Sequence, residues 1–119
     1  MNIAKIKYTT AHRKAFRRVE RQLLGYNTVR SLFHDLDKVI LCAILPKKAY
    51  NWIADFHRNN SRHHRKATTR NDYIQVIIDW ECARITKPDK PLNAKQTLDA
   101  YYPELTDVIT PLLEELKLV

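Results

Sequence analysis

The chain has 119 residues, 21 Lys and Arg against 13 Asp and Glu, and a single glycine. That length suits one domain with a core of its own, so folding requires neither disulfide staples nor a structural metal. A glycine-poor chain rich in helix formers disfavours a sheet, which needs turn glycines and clean alternation. The expectation is therefore an all-α, single-domain bundle of five or six helices over residues 1–119.

Charge is spread unevenly. Residues 1–70 carry 16 basic against 4 acidic side chains and residues 71–119 carry 5 against 9, a balance of +12 followed by −4. Such asymmetry points to an anionic partner for the first part, nucleic acid or a phosphorylated small molecule, with solubility as the plain alternative. Cys42 and Cys82 lie in apolar helical patterns without metal-finger spacing and read as reduced core residues. The longest apolar run, residues 39–45, is far short of a bilayer span, and residues 1–14 hold no apolar signal core. A cytoplasmic protein with no membrane partner is expected.

Residues 1–8 read as a polar, basic lead-in, with Thr9 or Thr10 capping a first helix over about 11–24. His12, Phe16, Val19 and Leu23 share one face of it, so the His12 ring borders a core and needs a partner. In the ordinary case that partner is a backbone carbonyl; in the functional case it is a metal. Arg13, Lys14, Arg17, Arg18 and Arg21 cover the other face, which is solvated or binds an anion.

Gly25 ends that helix, and Asn27 or Thr28 caps a central helix running to about residue 45. Its expected core stripe is Val29, Leu32, Leu36, Val39, Ile40 and Ala43, with His34, Asp35 and Lys38 at the border. Neighbours on a helix diverge by about 100°, so His34 and Asp35 can share one cation only in a groove beside their helix. Other helices must then supply the remaining ligands.

Pro46 stops the helix, and residues 47–56 resume a helical pattern in which Tyr50, Ile53 and Trp52 pack. The polar stretch 57–66 holds three of the five histidines, His57, His63 and His64. It reads as a basic loop lying on nucleic-acid phosphates or over a metal centre. A helix over about 71–85 follows, with Ile74, Ile77, Ile78 and Ile85 as its stripe. Asp79 inside that stripe wants a cation, supplied by a core-edge Arg or by a metal. Residues 87–91 read as a turn, about 94–100 as a short helix, and about 104–116 as a closing helix. Leu105, Val108, Ile109, Leu112, Leu113 and Leu116 form the stripe of that last helix.

His12, His34-Asp35, His57, His63-His64 and Asp79 follow one another in the order H…HD…H…H…D. Over residues 12–79 this order resembles the HD-domain superfamily of metal-dependent phosphohydrolases, and His34-Asp35-Leu36-Asp37-Lys38 looks like its HD-x-x-K variant. More closely, the run from His57 through Asn59-Asn60 to His63-His64, with Ile78-Asp79-Trp80 and Ala83-Arg84, is similar to a family of small, uncharacterised HD-like proteins of phages and bacteria.

The resemblance implies that His12, His34, Asp35 and Asp79 hold a first metal, and His57 with one of His63 or His64 a second. It makes Asp35 and Lys38 the catalytic pair, with Lys38 facing the phosphate. Imidazole and carboxylate ligands suit Mn²⁺, Fe²⁺, Co²⁺, Ni²⁺ or Zn²⁺, one or two per chain. Arg62, Arg65 and Lys66 would clamp substrate oxygens. The implied enzyme is a hydrolase that attacks a nucleotide or another small phosphoester with metal-activated water. Two other readings stay open: a nucleic-acid- or partner-binding accessory protein with a structural or degenerate HD-like site, and a di-iron oxygenase of the HD type.

Overall fold

A computed structural model describes residues 1–87 and 92–119, which form α-helices and short 3₁₀ turns with no strand among the described residues. The helices are α1 (Ile3–Leu24), the single turn α2 (Val29–Leu32), α3 (Leu36–Ile44), α4 (Tyr50–Asn60), α5 (Arg70–Thr86), α6 (Ala94–Tyr101) and α7 (Thr106–Glu115). Apart from α2, six helices of two turns or more match the expected all-α bundle. The turn expected over 87–91 falls, from residue 88 on, outside the described residues.

The first helix starts at Ile3, so the expected lead-in and the cap at Thr9 or Thr10 are corrected. Asn2 is the cap: its side chain accepts the Lys5 amide at 3.2 Å, and its own amide donates to the Cys42 carbonyl at 2.8 Å. A cap plus a tether to α3 makes a helix of a segment that has little apolar period of its own. Gly25 closes α1 in the left-handed region at φ 83°, its amide donating to the Arg21 carbonyl.

The expected central helix is broken. α2 ends at Leu32, α3 starts at Leu36, and the change of register between them destroys the continuous stripe. Val29 is 77% exposed and Ile40 51%, Leu32 is also exposed, and Cys42 is the buried residue of α3 instead. Further along, α4 extends to Asn60 and carries His57 on its last turn, so His57 belongs to a helix and not to the polar loop. Trp52 is exposed and stacks on Phe56, whereas Ile53 is buried as expected.

Thr69 and Asp72 form a capping box at the start of α5, the helix around which the fold is built. It packs against α1, α6 and α7, so its buried residues surround it more widely than one stripe and include Val76, Trp80 and Cys82. Ile85, expected inside, lies exposed at its end, as does Val108 on α7. Phe16, Ile77, Leu98, Ile109 and Leu113 are fully buried where α1, α5, α6 and α7 meet. Each such side chain contributes about 1.5–3 kcal/mol relative to exposure. On its opposite side α1 packs against α2 and α3, and α3 against α4. The polar residues of interest gather between these two halves.

Candidate metal centre

His34 and Asp35 occupy the turn that breaks the central helix. The Phe33 amide donates to the Arg30 carbonyl and the His34 amide to the Ser31 carbonyl, and Asp35 takes φ 56°, ψ 16°. Asp tolerates this left-handed conformation better than most side chains. The left-handed turn brings both side chains to one centre from a break between helices, in place of the groove beside a continuous helix expected from the sequence. Arg13 pins the turn from α1, donating to the His34 carbonyl at 2.8 Å and the Leu32 carbonyl at 2.7 Å.

Two clusters meet there. In the first, His12 Nε2 lies 2.9 Å from Asp79 Oδ1, 3.2 Å from His34 Nε2 and 3.4 Å from Asp35 Oδ2. His34 Nε2 lies 3.1 Å from Asp79 Oδ1. In the second, His57 Nε2 and His63 Nε2 stand 3.2 Å apart, at 2.8 Å and 3.0 Å from Asp35 Oδ1. His64 completes that group. The two carboxylate oxygens of Asp35 thus face different histidine sets.

Outward nitrogens are also held. His57 Nδ1 donates to Asp37 at 2.8 Å, His63 Nδ1 lies 2.6 Å from Ser61 Oγ, and His12 Nδ1 lies 3.3 Å from Thr86 Oγ1. Phe16 stacks on the His34 ring at 3.7 Å between centroids. Histidines fixed at Nδ1 present Nε2 as the inward ligand, an arrangement typical of metal-binding imidazoles.

Electrostatics couple the clusters to their carboxylates. Burial disfavours the His12 imidazolium, but hydrogen bonds with Asp79 and Cys82 outweigh it and raise its pKa to about 10. Against the same penalty, Asp35 and Asp37 raise that of His57 to about 9. Burial dominates at His64, pushed down to about 3, and at His34, also lowered. Asp35 and Asp79 resist burial through their histidine partners and sit well below the usual carboxylate range.

The donor set fits first-row divalent ions. Bonds of about 2.1 Å place neighbouring ligand atoms ~3.0 Å apart at right angles and ~3.4 Å apart at tetrahedral angles. The separations above, 2.8 to 3.4 Å, fall in or close to that range. Two imidazole nitrogens facing each other can share only one proton between them, whereas a cation satisfies both.

A cleft of about 530 Å³ opens over both clusters, with Asp35, Asp79, His12, His57 and His64 in its wall and Lys38 beside them. Lys5, Arg58 and Lys87 also line it, and none of these three stands out in the sequence. Among the expected clamps, Arg62 is engaged elsewhere, forked onto the buried Asp72 at 3.0–3.3 Å, and Arg65 bonds Asn59 on the surface. Lys66 is exposed on the same loop. Asp37 and Arg13 are supporting residues that sequence reading missed. The signal for Asp37 was its place two residues after Asp35; Arg13 was hidden among surface arginines.

Compared with known protein families, curated proteins and solved structures, the chain matches none. Fold and site define an all-α protein whose described residues hold two adjoining His and His/Asp clusters with a geometry that could hold metal ions.

Proposed function

We propose that the protein is a metal-dependent phosphohydrolase of the HD-domain type, acting on a nucleotide or another small phosphoester in the cytoplasm. The observation that supports it is Asp35, whose Oδ2 faces His12 and His34 while its Oδ1 faces His57 and His63. One carboxylate serving two histidine sets suits a pair of divalent cations. Such cations lower the pKa of water to near neutrality and offset the charge of a phosphoryl group. His12, His34 and Asp79 would hold one cation with Asp35, and His57, His63 and His64 the other. Lys38, with Lys5, Arg58 and Lys87, lines the cleft where phosphate oxygens would lie, and each can donate a charge-assisted hydrogen bond. Arg13 and Asp37 orient the ligand side chains. Tyr8 and Tyr50 also stand in the wall.

The test is elemental analysis of untagged protein after incubation with Mn²⁺, Co²⁺ or Zn²⁺, together with phosphate release from a panel of nucleotides. Up to two ions per chain and metal-dependent release are expected. Protein that takes up no ion, or releases no phosphate from any of them, overturns the reading.

A further inference from the structure

Beside the metal centre lies a second pocket of about 390 Å³, within the range of roughly 300–1,000 Å³ usual for small-molecule sites. Its two ends differ in chemistry. At one end stand Arg58, His63 and His64, shared with the metal centre or its cleft, and Arg65. At the other, Tyr73, Val76 and Trp80 project from one face of α5 at i, i+3 and i+7, opposite Tyr102 and Leu105 from the segment after α6. Trp80 and Tyr102 stack with centroids 5.1 Å apart and planes 18° from parallel.

We propose that this pocket is the subsite for the planar ring of the substrate, a nucleobase, laid against Tyr73, Trp80 and Tyr102 while its phosphate reaches the metal centre past His64 and Arg58. The inference rests on the phosphoester reading and narrows its substrate to a nucleotide. Apolar aromatic walls select a flat, weakly solvated ring, and base stacking on such side chains is tolerant of base identity. Arg58 lines both the cleft and the pocket, so its charge lies along the path joining ring and phosphate. Its ion pair with Asp55 is exposed and leaves it free to exchange partners. Glu104, beside Leu105 in the wall, disfavours a second anionic group there and can accept from an amino or hydroxyl group. The pocket therefore suits a ligand with one charged end.

Calorimetric titration of the metal-loaded chain with adenosine monophosphate, ribose 5-phosphate and adenosine tests this. The monophosphate should bind at least about tenfold more tightly than ribose 5-phosphate, as stacking of one base predicts. Tyr102→Ala should abolish the difference and leave ribose 5-phosphate unchanged, and Tyr102→Phe should retain it. Tyr102 is 36% exposed but stacks on the buried Trp80, so unchanged ribose 5-phosphate binding and Tyr102→Phe, which keeps that contact, control for folding, and Trp80→Phe gives a second variant at the more buried wall. Equal binding of the two phosphates by the wild-type chain, or a preference that survives Tyr102→Ala, overturns the subsite. If ribose 5-phosphate and metal still bind in that case, the phosphoester reading stands without it. Conversely, adenosine binding that Tyr102→Ala removes, in a chain that takes up no metal, supports the subsite while removing the phosphoester reading.

Discussion

Asp37 accepts the Nδ1 hydrogen of His57 at 2.8 Å, and so ties the first turn of α3 to the last turn of α4. The bond fixes which nitrogen of His57 faces Asp35. Carboxylates that hold a ligand histidine in this way change metal affinity by about 10- to 100-fold when removed. Asp37→Ala should therefore weaken uptake of one ion by that factor and leave the other unchanged. Competition against a chromophoric chelator measures both, and equal affinities in mutant and wild type would show that His57 binds no metal.

Asp35 and Asp79 should differ in what their loss removes. Asp79 faces His12 and His34, whereas Asp35 faces both clusters. Asp79→Asn should cost one ion per chain and Asp35→Asn both. Metal at about 100 times its dissociation constant adds roughly 2.7 kcal/mol of stability, so the melting temperature should rise on metal addition in the wild type and not in Asp35→Asn. A thermal shift that survives Asp35→Asn undiminished would remove the shared carboxylate from the argument.

Asp72 gives a pH dependence independent of the metal centre. Burial would raise its pKa, but Arg62, the amides of Thr68 and Thr69, and Arg30 hold it well below the carboxylate range. A carboxylate depressed in the folded state contributes stability fully present above its unfolded value of about 3.9, and that stability fades as pH falls through and below this value. Asp72→Asn should destabilise the chain by about 1.5–3 kcal/mol at pH 7, the scale of a lost charged hydrogen bond. The difference from wild type should shrink below about pH 4. Urea melts at pH 7 and pH 3 check it; a pH-independent difference would show that the charge of Asp72 contributes nothing.

Much of the site was legible because buried imidazoles and carboxylates need partners. His12 among Phe16, Val19 and Leu23, and Asp79 between Ile78 and Trp80, each had to find one, and in the fold His12 and Asp79 find each other. The all-α class followed from composition for a different reason, the single glycine in a chain rich in helix formers. What stayed hidden was local backbone geometry: the apolar residues from Val29 to Ala43 fit a helical period, and nothing in their spacing reports the left-handed Asp35 that interrupts it. Long-range hydrogen bonding was equally silent. Glu20, fully buried on α1, accepts from Asn27, Thr28 and Gln75, yet its neighbours Arg18 and Arg21 make it look like a surface residue. Arg62 resembled a substrate clamp until Asp72 was seen to hold it.

The outer arginines and the cleft lysine separate an enzyme from a nucleic-acid binder. Lys14, Arg18 and Arg21 are exposed on α1, away from the cleft, while Lys38 lines the cleft with Asp35 and His12. If the protein acts on a phosphoester, Lys38→Ala should cut metal-dependent phosphate release by ~10²-fold or more, the scale for loss of a charged donor to the transition state. Replacing Lys14, Arg18 and Arg21 by Ala should then leave release within about twofold. In a nucleic-acid binder the pattern inverts. Those three positions would set the affinity, each lost phosphate contact would reduce the salt slope by about 1, and Lys38→Ala would be nearly silent. Arg13 is excluded from the set because it holds the His34 and Leu32 carbonyls, and its loss would disturb the Asp35 turn in either case. The expected outcome is the first pattern, since Lys38 shares a wall with both histidine sets. Phosphate release unaffected by Lys38→Ala, with nucleic-acid affinity lost in the triple variant, would assign the positive charge to binding.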